Sequence, residues 1–324
     1  MPDRSLTDQL IKYLADVHAI EEQALSQMRR APAIAGDSEI GDVFAQHLHE
    51  TERQEERIRG CLETCGADPA ALKDVAGRAG GVGMVLFAKL QPDTPGKLVA
   101  HAYSYEHLEV AAYELLRRVA DRASSPETAA VARDVCAEER RMAGRLESVF
   151  DRAVEASLRE VEPADLAEQT QKYLADAHAI EMQSIQLLNR APKITEGEEL
   201  SRLYEEHLAE THEHERRLDE RLRALGSRPS RLKDAAMRLG ALSWGGFFQA
   251  QPDTPAKLAG FAYAFEHLEI AGYELLKRVA GRADDVGTTQ AADLNLGEER
   301  SAAEKLAARW DDAIDASLSQ VVTG

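Results

Sequence analysis

The feature that most constrains this chain is that it is one sentence written twice. KYLADVHAIEEQ begins at Lys12 and returns as KYLADAHAIEMQ at Lys172, and the same offset pairs Pro32 with Pro192, HLHET at His47 with HLAET at His207, and QPDTP at Gln91 with QPDTP at Gln251. EHLEVAAYELL at Glu106 likewise returns as EHLEIAGYELL at Glu266. No insertion or deletion breaks the register, and more than two positions in five are identical between residues 5–164 and 165–324. A period this long describes two whole domains, because solenoid repeats run about 20–50 residues. The expected domains are 1–160 and 161–324, joined near Arg159 to Asp165.

Each unit must therefore fold from about half of the 324 residues. Aromatic residues are 5% and charged residues 30%, with few Gly and Pro, a composition that suits long helices rather than a turn-rich sandwich or barrel. Four helices are expected per unit. The first opens at Ser5 or Thr7 and stops before Pro32, and the second runs from Asp37 or Ser38 to about Cys65. The third starts at Thr94-Pro95, repeated at Thr254-Pro255, and the fourth at Ser125-Pro126. Short links make the first and last pairs antiparallel hairpins. The link Gly66 to Asp93 is long enough to travel back along a helix, so the second and third helices can run parallel. One long crossover between two hairpins is the ferritin-like form of the four-helix bundle. The fold class expected is all-α, two tandem ferritin-like bundles.

Fifty-seven acidic against 39 basic residues give a net charge of -18, which repels phosphate backbones and anionic lipid, so neither nucleic acid nor membrane is an expected partner. The apolar run Val82 to Leu90 is too short to span a bilayer, and MPDRSLTDQL has no signal-peptide core. Three cysteines are too few for a disulfide framework, which makes the cytoplasm the simplest location. Cys61, Cys65 and Cys136 are matched by Arg221, Leu225 and Leu296, so both units cannot depend on them.

The core-facing stripes carry polar residues where apolar ones belong. The first helix reads Leu10, Leu14, Val17, Glu21, Ala24, Met28, with His18 at the edge. The second reads Val43, His47, Glu50, Gln54, Ile58, Cys61, Cys65, and the third is apolar nearly all round yet holds Glu106, His107 and Glu109. Glu139 interrupts the fourth stripe, Ala132, Val135, Met142, Leu146, Val149, with Glu138 as the neighbouring alternative. Burying several carboxylates together costs several kcal/mol for each uncompensated charge. A pair of multivalent cations offsets that, and carboxylate with imidazole is the donor set for iron or manganese. The second unit repeats the pattern with His178, Glu181, His207, Glu210, Glu266, His267, Glu269, Glu298 and Glu299, while Glu22, Glu56 and Glu63 drift to Met182, Arg216 and Arg223.

At these residues the chain resembles the YciE/YciF-type stress-response proteins, a branch of the ferritin-like di-iron superfamily. The resemblance lies in Glu21 with Gln23, HLxET at His47 to Thr51, EHxExAxY at Glu106 to Tyr113, and the pair Glu138-Glu139, and it covers both units. It implies metal ligands Glu21, Glu50, Glu106, Glu109 and Glu139 in the first unit and Glu181, Glu210, Glu266, Glu269 and Glu299 in the second. Imidazole would come from His47 or His107, from His207 or His267, or from His214. The superfamily's Glu-x-x-His is missing, since Arg53 and Met142, and Glu213 and Ala302 in the copy, hold the histidine positions. The implied cofactor is iron, two ions per unit, with manganese as the other choice, and the implied partners are oxygen or peroxide. An intrachain pseudo-dimer is expected, and further homo-oligomers are compatible with it. The competing class is a metal-free helical interaction protein that keeps the fold.

Overall fold

The computed structural model describes residues 4–67, 95–195, 198–226 and 254–322, and these form helices and short connections with no strand among them. The first half contains α1 (Arg4–Met28), α2 (Ala31–Ile34), α3 (Ser38–Thr64), α4 (Pro95–Arg122), α5 (Pro126–Ser148) and α6 (Phe150–Leu158). After a 3-10 turn at Pro163–Asp165, the second half repeats them as α7 (Leu166–Leu188), α8 (Ala191–Ile194), α9 (Glu198–Ala224), α10 (Thr254–Arg282), α11 (Val286–Ala307) and α12 (Trp310–Val322).

Side-chain pairs give the helix directions. His18 meets Glu55, so α1 and α3 form a hairpin across a short link. Arg57 meets Asp134 and Glu138 while Glu50 meets Arg145, so position rises along α3 as it falls along α5. Arg140 meets Glu114, and α4 is likewise antiparallel to α5. Hence α3 and α4 run parallel. The expected crossover, with Gly80, Gly81, Gly83 and the run Val82 to Leu90, lies outside the described residues.

The helix starts differ in detail from the sequence reading. Asp37 caps α3, accepting from the backbone N–H groups of Glu39 at 3.0 Å and Ile40 at 3.3 Å. Ser5 and Thr7 sit inside α1, and Pro32 falls in the separate short helix α2. The four long helices expected per unit are joined by two short ones, α2 after α1 and α6, which follows the break at Val149 and continues along α4 with Phe150, Ala153 and Val154 buried. Ser157 of α6 accepts the Gly96 N–H at 2.8 Å, and Ser317 of α12 accepts that of Ala256 at 2.8 Å. The extra helix therefore satisfies a free donor at the start of the buried helix of its own unit.

The halves pack through α4 and α10, which cross antiparallel, and several of the ion pairs between them recur with the roles exchanged. Lys97 pairs with Asp176 at 3.1 Å and Lys257 with Asp16 at 2.9 Å. Arg118 pairs with Asp311 at 3.1 Å and Arg278 with Asp151 at 3.0 Å. This is the self-complementary pattern of a two-fold interface, built inside one chain. At its centre the imidazoles of His107 and His267 stack, ring centroids 3.4 Å apart and planes 14° from parallel.

Candidate metal centre

The helices place polar groups at one level of each bundle. Glu21 on α1, His47 on α3, Glu106 and Glu109 on α4, and Glu139 on α5 are all buried, with Leu14, Ile58, Val110, Val135 and Met142 filling neighbouring core positions. His47, Glu106, Glu109 and Glu139 bring one donor atom each to within 4.8 Å of one another. His207, Glu266, Glu269 and Glu299 form the same group in the second unit. There a further group, Glu181, His214 and Glu299, shares Glu299 with the first.

His47 Nε2 lies 3.2 Å from Glu106 Oε1 and 3.9 Å from Glu139 Oε2. His207 Nε2 lies 2.8 Å from Glu266 Oε2 and 3.5 Å from Glu299 Oε2. The outer nitrogen of each ring is held as well: Nδ1 of His47 is 3.4 Å from Glu50 Oε2, and Nδ1 of His207 is 3.2 Å from Glu210 Oε2. Tyr113 donates to Glu21 and Tyr273 to Glu181, each at Oε1. The remaining oxygens are where the fit to a cation is tested. One oxygen each of Glu21, Glu106, Glu109, Glu181 and Glu269 and both of Glu139 are buried without a hydrogen-bond partner, while Glu106 Oε1, Glu266 Oε2 and both oxygens of Glu299 face histidine nitrogens. Buried acceptors this numerous are normally satisfied, and an array of carboxylate oxygen with one imidazole nitrogen matches the donor preferences of iron and manganese.

The electrostatics record the same crowding. Burial, with added repulsion from Glu106, drives the Glu21 carboxyl up to about 8. Glu109 and Glu139 go well above the usual carboxylate range, through burial first and then their acidic neighbours. Glu269 follows them, and Glu299 rises to about 7. Burial alone would lower His47, but Glu106 and Glu50 raise it to about 9. Such carboxyls keep protons that a divalent cation would displace.

Several residues expected as ligands are elsewhere. Glu50 and Glu210 stand at the edge, 18% and 35% exposed, Glu50 bound by Arg145 and Glu210 lying 3.6 Å from Lys305. The buried stripe of α3 is Ile40, Phe44, His47, Thr51, Gln54, Ile58 and Leu62, so Thr51 takes the core position expected for Glu50. His107 and His267 are outside both groups: they meet at the interface, each Nδ1 on the carbonyl four residues earlier, Tyr103 at 2.8 Å and Tyr263 at 2.7 Å. Burial there pushes His107 down to about 4 and His267 well below its ordinary value. His18 and His178 pair with Glu55 and Glu215 on the neighbouring helix. Glu138, the alternative to Glu139, is bound by Arg57 at the bundle's edge. Arg145 and Lys305 carried no signal in the sequence reading, because each becomes relevant only when its helix face is known.

Fold and site together define a class: a helical-bundle protein in two tandem copies, each with a buried His/Glu group able to hold metal. The family model described as Domain of unknown function (DUF892) matches residues 5–159 and again 166–319. The chain belongs to that family, which is the family of YciF-like ferritin-like proteins. No curated protein and no solved structure matches the chain. Among the described residues no helix is long and apolar enough to cross a membrane.

Proposed function

We propose that the protein is a ferritin-like metal-carboxylate protein whose two units bind iron, with manganese as the alternative ion, and oxidise iron(II) with oxygen or peroxide in a stress response. The observation that carries this reading is the convergence, in both units, of unpartnered buried carboxylate oxygens around one buried imidazole. In the first unit Glu21, His47, Glu106, Glu109 and Glu139 would hold the metal, and in the second Glu181, His207, His214, Glu266, Glu269 and Glu299. Bound iron would supply electrons to the oxidant and Lewis acidity at the buried site.

The protein's own groups prepare that site. Tyr113 fixes one oxygen of Glu21 and leaves the other, Oε2, buried and unpartnered. Glu50, gripped by Arg145, takes the outer nitrogen of His47, which keeps Nε2 turned toward Glu106. This carboxylate behind a ligating imidazole is the usual outer support of a metal-bound histidine. Free thiols at Cys61, Cys65 and Cys136 support a reducing, cytoplasmic setting.

Anaerobic titration with iron(II) tests the reading. Loading should approach about four ions per chain, two per unit, and air or peroxide should then produce iron(III) faster than buffer alone. Glu109→Gln with Glu139→Gln should remove the first unit's share and spare the second. A second reading, a metal-free interaction protein, has the ion pairs His47–Glu106 and Glu50–Arg145 in its favour, since these neutralise part of the cluster internally. It prevails if neither iron(II) nor manganese(II) binds and chelators leave the melting temperature unchanged.

A further inference from the structure

One of the buried positions at which the two units differ lies beside the carboxylates. His214 on α9 is fully enclosed, with Nδ1 2.7 Å from Glu299 Oε1 and 3.5 Å from Glu181 Oε1. Its other nitrogen lies 2.8 Å from Glu298, which Arg217 also binds. At the same register of α3 stands Gln54, 1% exposed. Its Nε2 donates to Glu138 at 3.1 Å, and Arg57 binds that same carboxylate. The outer supports Glu138 with Arg57 and Glu298 with Arg217 are therefore equivalent, and they hold equivalent side-chain atoms. With the amide nitrogen committed to Glu138, the atom Gln54 has left is Oε1, which is buried and without a partner. Gln54 Oε1 is thus the counterpart of His214 Nδ1.

The residue behind this position has changed too. Asn295 donates to the Tyr273 hydroxyl at 2.8 Å and accepts from Arg217 at 2.8 Å, whereas its counterpart Val135 can do neither. Two linked changes in one unit, His214 for Gln54 and Asn295 for Val135, make the difference a coordinated one.

We propose that the second metal position of each unit is differentiated by this exchange: oxygen-only in the first, from Glu21, Gln54 and Glu139, and nitrogen-containing in the second, from Glu181, His214 and Glu299. Oxygen donors suit manganese(II), and an imidazole shifts preference toward iron(II) and the later divalent ions. One chain thereby carries two positions of different metal preference, while the His47 and His207 groups remain alike. The inference rests on the metal-binding reading above.

The test is competition dialysis of the full-length chain, without oxygen, against equal manganese(II) and cobalt(II), the latter a redox-inert stand-in for iron(II). Bound metals are counted for the wild type, Gln54→His and His214→Gln. Gln54→His should raise the cobalt-to-manganese ratio and His214→Gln should lower it, each on the order of tenfold at the position changed, the size of effect that even an outer partner of a ligand produces. Cobalt absorption bands should gain intensity or shift in Gln54→His and lose in His214→Gln. Unchanged ratios in both variants, with total metal preserved, overturn the inference and leave the metal reading standing. A wild type that binds neither ion defeats both. If circular dichroism shows His214→Gln misfolded, the Gln54→His ratio decides alone.

Discussion

Glu21 keeps its proton to about pH 8 in the folded chain because burial, the largest influence, opposes its charge. In the unfolded chain the same carboxyl ionises near its ordinary value of 4.5. Between those values the folded state binds the extra proton, so stability falls as pH rises. His47 acts in the same sense over a higher window, from 6.5 to about 9, since its folded value is raised. Glu50 has the opposite sign: lowered to about 2, chiefly through its bond to His47, it contributes stability above 4.5 that is lost as pH falls through the folded value. The metal-free protein should therefore melt at a higher temperature at pH 6 than at pH 9. Metal should reverse this trend, because binding requires the carboxyls to release their protons. Calorimetric scans with chelator and with saturating manganese(II) at both pH values check the two slopes. Tyr113→Phe removes the bond to Glu21 and leaves a buried oxygen unpaired, a cost of about 1–3 kcal/mol. Urea unfolding of the metal-free variant reads it directly.

The buried stripes of α1 and α5 are legible from spacing alone, Glu21 and Glu139 included, because dense apolar neighbours fix the helix face. On α3 the apolar residues are sparse and two registers compete. One, through Val43, Glu50, Cys61 and Cys65, is only half-buried; the other, through Phe44, Thr51 and Leu62, is the core. Thr51 tips the reading astray because its hydroxyl is satisfied within the helix, by the His47 carbonyl at 3.0 Å, and so costs little to bury. On α4 periodicity says nothing about facing, since one side meets its own bundle and the other meets α10. That is why His107 could not be separated from its neighbours Glu106 and Glu109. The added helices α6 and α12 leave no mark in the sequence, because no Gly or Pro stands at the break at Val149. Asp37 is an expected start whose side chain caps its helix. Asp37→Ala should destabilise α3 by about 1 kcal/mol, measured as a lower urea midpoint with unchanged m-value.

At the scale of the whole molecule, the reciprocal ion pairs and the buried α4–α10 face argue that the halves stay together without their link. A protease site engineered between Val161 and Glu162, in the exposed joint, should give two fragments that co-elute as one particle after cleavage. Fragments that separate at micromolar concentration would show that the covalent joint, rather than the face, holds them.

The hydroxyl of Ser104 donates across that face to the carbonyl of Ala264 at 2.7 Å. The mirror-image bond cannot exist, because alanine stands where the second hydroxyl would be. A homodimer cannot place serine on one side and alanine on the other: whatever mutates beside its axis mutates on both sides, and a new charge there meets its own like. Fusing the copies lifts that constraint. Each side of the seam can vary while the other compensates, so sequences forbidden to any self-pairing ancestor, a lysine facing a glutamate across the axis among them, become open to this chain.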